Sequence, residues 1–210
     1  MKNKSSLLNS QKIRVYSSAM PRQPRHFQAG GFYHIVNRGN NKQTTFYDDG
    51  DYQQFLRLLS KGCDKYSVDI ISMCLMPNHF HILTTPSEIS SIESCIGYST
   101  GIYAKYLNQK YDRVGHLWQR RYWSGHVEKG RGTGNVWRYI EQNPVRANMV
   151  SSPEKWKWSS ATFRSTGFKP HYLIEPNWWG SAVMQEWWSN DKLTQDQLVE
   201  IRNSYLVPGT

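Results

Sequence analysis

The tract from Val68 to Thr85 sets the tightest limit on what this chain can fold into. Val68-Asp69-Ile70-Ile71-Ser72-Met73-Cys74-Leu75-Met76 and His79-Phe80-His81-Ile82-Leu83-Thr84-Thr85 are both rich in β-branched, aliphatic and aromatic residues, with Pro77-Asn78 between them. Apolar runs of this length bounded by turn residues read as strands, and Asn after Pro suits the reversal that joins them. The pair therefore predicts a β-hairpin, closed by Pro86. A lone hairpin is at best marginal in water, so the rest of the chain must supply more strands and a cover. Side chains alternate along a strand. Phe80 and Ile82 then point into a core, while His79 and His81 share the opposite face. Two imidazoles on one face can reach one metal ion, although the same pattern also describes two polar residues on the exposed side of an amphipathic strand.

The neighbouring segments supply that cover. After Gly30-Gly31, Phe32–Asn37 reads as a first strand running into the basic, turn-prone Arg38-Gly39-Asn40-Asn41-Lys42, which suits either phosphate contact or an ordinary solvated loop. Asp48-Asp49-Gly50-Asp51 supplies the cap of a helix that carries Tyr52, Phe55, Leu56, Leu58, Leu59 and Cys63 at amphipathic spacing and ends near Tyr66. Ser90-Ser91 opens a second helix, continuing to about Tyr111 despite Gly97 and Gly101. A basic loop from Arg113 leads into a fourth strand ending about Val127. The order βαββαβ predicts an α+β, ferredoxin-like antiparallel sheet with helices on one face.

Beyond it, Lys129–Gly134 reads as either a hinge or a turn, and Asn135 as the cap of a short helix over Val136–Asn143, stopped by Pro144. Tyr139 and Asn143 lie one turn apart on that helix. A phenol with an amide beneath it, on a glycine-flanked helix, is what a mobile nucleophile beside a metal would look like; it is also how a packing tyrosine looks.

Charge narrows the partner. The 210-residue chain has a formal net charge of +10, which points to a polyanion, and no stretch reads as a membrane span, so nucleic acid is the natural candidate. Thirteen tyrosines and nine tryptophans interleave with Arg and Lys as in proteins that stack unpaired bases along a phosphate groove. Three cysteines, Cys63, Cys74 and Cys95, show no CxxC spacing and read as reduced core residues of a cytoplasmic protein. Three parts are expected: a basic arm over residues 1–25, a catalytic body over 26–165, and an extension over 166–210 that packs on the body. In the extension, Leu198, Ile201 and Tyr205 space as one face of a helix over Thr194–Tyr205.

Met76-Pro77-Asn78-His79-Phe80-His81, then Gly115-His116-Leu117-Trp118-Gln119-Arg120-Arg121-Tyr122, then Tyr139-Ile140-Glu141-Gln142-Asn143-Pro144-Val145-Arg146-Ala147 together resemble the REP-associated tyrosine transposases, single-tyrosine members of the His-hydrophobic-His (HUH) nuclease superfamily. Gly31–Asn40 and Trp156–Ser160 also match that family's habits, so the similarity spans roughly residues 20–165. The resemblance implies that His79, His81 and Asn143 bind a divalent metal, Mg²⁺ or Mn²⁺, and that Tyr139 is the nucleophile. Related insertion-sequence transposases usually carry Gln where this chain has Asn143. It further implies a covalent 5′-phosphotyrosine, a free 3′ hydroxyl and later strand joining, on single-stranded or hairpin DNA formed by repetitive extragenic palindromes. Relatives of this kind act as monomers or homodimers. Backbone contacts are expected from Arg38, Lys42, Arg113, Arg120, Arg121 and Arg146.

Other readings stay in view: a non-catalytic hairpin-DNA regulator that would not need Tyr139, a replication initiator or relaxase of the same superfamily, and an RNA-binding ferredoxin-like domain. The last is weakened by the absence of an aromatic ribonucleoprotein signature in the strands.

Overall fold

A computed structural model describes residues 27–87, 91–175, 193–196, 198, 199 and 201. The expected basic arm, the tryptophan-rich segment around Trp178 and Trp187, and half of the Thr194–Tyr205 stretch lie outside these residues. The elements run β1 (Phe32–Arg38), α1 (Asp49–Tyr66), β2 (Val68–Met76), β3 (His79–Pro86), α2 (Ser91–Lys110), β4 (Trp123–Val127), α3 (Arg131–Glu141), α4 (Asn143–Arg146) and α5 (Ser160–Ser165). The four strands form one sheet in the order β2-β3-β1-β4, with every neighbouring pair antiparallel. This is the predicted ferredoxin-like arrangement.

Helix α1 begins where the sequence placed it. Asp48 accepts from the Asp51 amide at 3.0 Å and Asp51 reciprocates toward the Asp48 amide, so both helix-end donors are met. Lys110, at the end of α2, reaches both carboxylates at 2.8 Å and pins the two helices together at that end. They also approach closely at Gly62, where a Cβ would stand 2.8 Å from Ser99 Oγ. Both helices cover the sheet face formed by Tyr33, Ile35, Met73, Leu75, Phe80 and Ile82. Burying each large apolar side chain there contributes roughly 1.5–3 kcal/mol.

A β-bulge between Ile70 and Ser72 shifts the β2/β3 register. It switches which residues of β2 face which way: Ile70 joins the α1/α2 core, while Ile71 joins a second core with Cys74, Leu83, Val136, Trp137 and Ile140. Helix α3 thus packs on the sheet face opposite α1 and α2. The outer edge of β2 is covered too, by Trp158, whose carbonyl accepts from the Leu75 amide at 2.9 Å, and by Tyr172–Ile174, which bond to both the amide and the carbonyl of Ile70. Tyr172–Ile174 therefore join the body directly, and Leu193, Leu198 and Ile201 are buried in the second core.

Helix α3 differs from expectation at both ends. It starts at Arg131, not Val136, with Gly130 before it at φ +89°, a conformation that favours glycine. Gly132 and Gly134 are therefore inside the helix rather than a hinge, and Asn135 is a buried interior residue rather than the cap. Each interior glycine costs about 1 kcal/mol. Burial of Val136, Trp137 and Ile140 on the sheet offsets that cost, which local propensity could not show. At the other end α3 stops at Glu141, and Asn143 opens the separate turn α4 with Pro144 in its first positions.

Candidate active site

The face of the sheet beneath α3 carries the two histidines of the predicted site. In β3, Phe80 and Ile82 are fully buried in the first core, and His79 and His81 project the other way, as alternation requires. Their rings stand 5.1 Å apart, centroid to centroid, at 85°. Tyr139, from α3, packs against His81 with ring centroids 5.7 Å apart. Histidine pair and tyrosine are thus brought together across elements separated by some sixty residues of sequence, roughly as the strand and helix patterns anticipated.

Each histidine has a fixed partner on Nδ1. His79 Nδ1 is 2.6 Å from Asn78 Oδ1, an oxygen that only accepts, so the proton of the neutral ring sits on Nδ1 and the Nε2 lone pair is left for a ligand. Asn78 in turn donates from Nδ2 to the Lys42 carbonyl at 3.1 Å, tying the basic turn after β1 to His79. His81 Nδ1 lies 3.0 Å from Nε2 of His34, a fully buried histidine of β1. Burial holds the His79 imidazolium down to a pKa of about 4, with the Arg38 charge opposite it in register adding to the effect. Burial, then the neighbouring His79 and His34 and the charges of Arg146 and Arg38, push His81 well below the usual range. Both rings are therefore neutral at pH 7, as metal ligands must be.

A divalent ion fits these donors. Among the described residues no cluster of three or more His, Cys, Asp or Glu is arranged to hold a metal. The ion would rest on two imidazoles completed by an amide oxygen or water, a neutral shell suited to Mg²⁺ or, with two nitrogens, Mn²⁺. Asn143, the amide that the resemblance implies, donates from Nδ2 to the Tyr139 carbonyl at 3.2 Å, so its remaining polar atom, Oδ1, is of the type that can act as a ligand. The helix break changes how Asn143 is held. It is tied to Tyr139 by this hydrogen bond rather than by sharing one uninterrupted helix.

The six basic candidates divide. Arg146 is not simply a surface contact: its guanidinium stacks 4.0 Å from the Tyr139 ring centre and donates to the Tyr139 carbonyl at 2.8 Å. Arg38 sits beside His79 on the sheet. Arg113 gives its guanidinium to Tyr47 Oη at 2.8 Å and to Gln43. Lys42, Arg120 and Arg121 are exposed, Arg121 with a loose pairing to Glu93 at 3.7 Å. Leu117, Trp118 and Tyr122 pack their loop onto the core, and that anchoring displays Arg120 and Arg121.

Three contributors escaped sequence reading. His34 was visible only as one residue of an apolar strand, and the register Val36↔His81 is what brings it beside His81. Trp123 closes over His34 at 5.8 Å from the next strand. Glu141, buried two residues after Tyr139, pairs with Arg164 of α5 and accepts from Ser160, so the helix that carries Tyr139 is held to β2 and α5 by a buried charge network. No local pattern announces a pair joined over so long a separation.

Known proteins share this architecture. Residues 29–143, more than half of the chain, match the family model of the IS200-like transposases. A REP-associated tyrosine transposase from Haemophilus influenzae is 25% identical over 147 residues, covering 65% of this chain and 82% of the relative. Among solved structures, a REP-associated tyrosine transposase bound to a REP hairpin superposes with a TM-score of 0.55 at 18% identity, over 75% of this chain and 93% of that one, which shows a shared fold.

Proposed function

Because the chain belongs to the IS200-like transposase family, we propose that it cuts and rejoins single-stranded DNA at hairpin-forming palindromic repeats, through a covalent bond between Tyr139 and a 5′ phosphate. The observation that carries this reading is the placement of the Tyr139 ring 5.7 Å from the ring of His81, one of a pair of neutral histidines. A DNA-binding regulator would need the basic surface but not that convergence.

The residues take the following roles. His79 Nε2, His81 Nε2 and the Asn143 amide oxygen would hold Mg²⁺ or Mn²⁺, which supplies Lewis acidity toward a phosphate oxygen. Tyr139 Oη gives up its proton and forms the new O–P bond, and the 3′ oxygen of the preceding nucleotide leaves to become a free hydroxyl. The phosphodiester energy stays in the phosphotyrosyl bond, so attack by another 3′ hydroxyl can join strands and return the phenol without ATP. Arg146 holds the Tyr139 ring by stacking and the Tyr139 backbone by its hydrogen bond, and places a positive charge where negative charge develops during attack. The relative solved with a REP hairpin makes such a hairpin the substrate of choice. Lys42, Arg120 and Arg121, exposed in the segments that follow β1 and α2, would take its phosphates and make binding strongly salt-dependent.

The test is incubation of the full chain with an end-labelled hairpin oligonucleotide carrying a short 5′ single-stranded flank, in Mn²⁺ or EDTA. A metal-dependent covalent band that disappears in Tyr139→Phe and in His79→Ala is expected. Tight hairpin binding with neither cleavage nor linkage in Mn²⁺ or Mg²⁺ would overturn the enzyme reading in favour of a DNA-binding regulator.

A further inference from the structure

We propose that His34 is a positioning residue for the metal site: it accepts the Nδ1 proton of His81 and so leaves the His81 Nε2 lone pair for the ion. The inference rests on the metal-binding role given above to His79 and His81, and concerns a residue outside that ligand set.

The two histidines are supported in different ways. His79 bonds through Nδ1 to an amide oxygen, so its ligand nitrogen is fixed whatever else happens. His81 bonds through Nδ1 to another imidazole nitrogen, at 3.0 Å, and that partner can either give or take a proton. Two arrangements of neutral rings satisfy the contact. In one, His81 carries its proton on Nδ1 and donates to a bare His34 Nε2, and His81 Nε2 is a ligand. In the other, His34 donates from Nε2, the His81 proton moves to Nε2, and the ligand position is blocked. Only the first is compatible with an ion at His81, so His34 must hold its own proton on Nδ1.

The surroundings keep His34 in place for this task. It is fully buried in β1, its ring lies at 22° to that of His81 with centroids 5.2 Å apart, and the edges of Trp123 and Tyr139 pack at 5.8 and 6.3 Å. A buried histidine tightly enclosed beside a ligand histidine has the geometry of the outer-shell acceptors that set ligand orientation elsewhere. Glutamine can substitute in this role, since its Oε1 falls where histidine places Nε2; phenylalanine fills the space but cannot accept.

The test compares wild type, His34→Gln and His34→Phe as full chains. Mn²⁺ affinity is measured by calorimetry, and hairpin affinity in EDTA and the melting temperature serve as controls on the fold. His34→Phe is expected to weaken Mn²⁺ binding about 10- to 100-fold with hairpin affinity in EDTA unchanged, and His34→Gln to restore most of the loss. In ¹⁵N-histidine-labelled wild type loaded with Zn²⁺ as a diamagnetic probe, His81 should be protonated on Nδ1 and show a through-hydrogen-bond coupling to an unprotonated His34 Nε2. Wild-type Mn²⁺ affinity in His34→Phe, or a protonated His34 Nε2 in the loaded protein, would overturn the proposal while leaving the enzyme reading intact. Absence of Mn²⁺ binding by wild type would instead remove the metal reading itself and this proposal with it. Should the aromatic variant not fold, the glutamine variant and the wild-type spectrum decide the question alone.

Discussion

Replacing Arg164 by methionine should loosen the helix that carries Tyr139, and the size of the effect follows from burial. The Glu141 side chain is 1% exposed and that of Arg164 12%, so both charges have been largely withdrawn from water. Arg164 bonds Glu141 and the Ile71 carbonyl and stacks 4.3 Å over Trp137, and Ser160 adds a donor to the same carboxylate. Burial raises the Glu141 carboxyl above its ordinary value, opposed chiefly by the Arg164 charge. Removing Arg164 strands a buried carboxylate, a change that costs about 3–5 kcal/mol, a large share of the 5–15 kcal/mol typical of a domain. The loss has a pH signature. With its counter-charge gone, Glu141 in the folded chain holds its proton to higher pH than before, while in the unfolded chain it ionises normally. Above the ordinary carboxylate range the folded state then binds more protons than the unfolded state, and stability falls as pH rises, by at most about 1.4 kcal/mol per unit. Urea unfolding of Arg164→Met against the parent should therefore show a deficit that is smaller at pH 5 than at pH 8. Adding Glu141→Leu should recover at least half of it, because no unpaired charge remains. A deficit below about 1 kcal/mol that does not vary with pH is what a surface ion pair gives, and that outcome would refute the reasoning.

Other consequences are equally direct. Arg146→Gln removes the cation stacked on Tyr139 and should lower the cleavage rate at least tenfold while leaving hairpin affinity within about threefold; Arg146→Lys should rescue little, since an ammonium cannot stack and donate as the planar guanidinium does. In EDTA, the depressed His79 makes the protein lose stability as pH falls from about 6.5 toward 4, because the unfolded chain takes up a proton there that the folded chain refuses. The 2.5-unit difference, 6.5 less 4, sets an upper limit of roughly 3 kcal/mol, and His79→Gln should remove that part of the slope in urea titrations at pH 4.5 and 7.

How much of this was legible from sequence depends on the range over which each feature is determined. Strand β2, the turn at Asn78 and the start and end of α1 are set by residues within a few positions of one another, and they occur where the sequence put them. Alternation correctly separated His79 and His81 from Phe80 and Ile82, because the period of a strand is fixed by its covalent geometry. Helix α3 was misplaced for the opposite reason. Its glycines signal a break locally, and only the sheet surface it covers outweighs them. His34 and Arg146 were unreadable in their present roles because one depends on strand register and the other on the fold of α4 back over α3. The bulge at Ile70–Ser72 belongs to the same class, since a single inserted residue changes the facing of half a strand without altering its composition.

The central claim is that Tyr139 is the atom-donating nucleophile, and peptide mapping of the trapped adduct tests it most directly. Wild-type protein would be incubated with the flanked hairpin in Mn²⁺, denatured, digested with nuclease and trypsin, and sequenced by tandem mass spectrometry. The account predicts a nucleotide phosphate attached at Tyr139, on the peptide that follows Arg138, and no such mass in EDTA. A cut strand with no protein adduct, or an adduct on any other tyrosine, would contradict it.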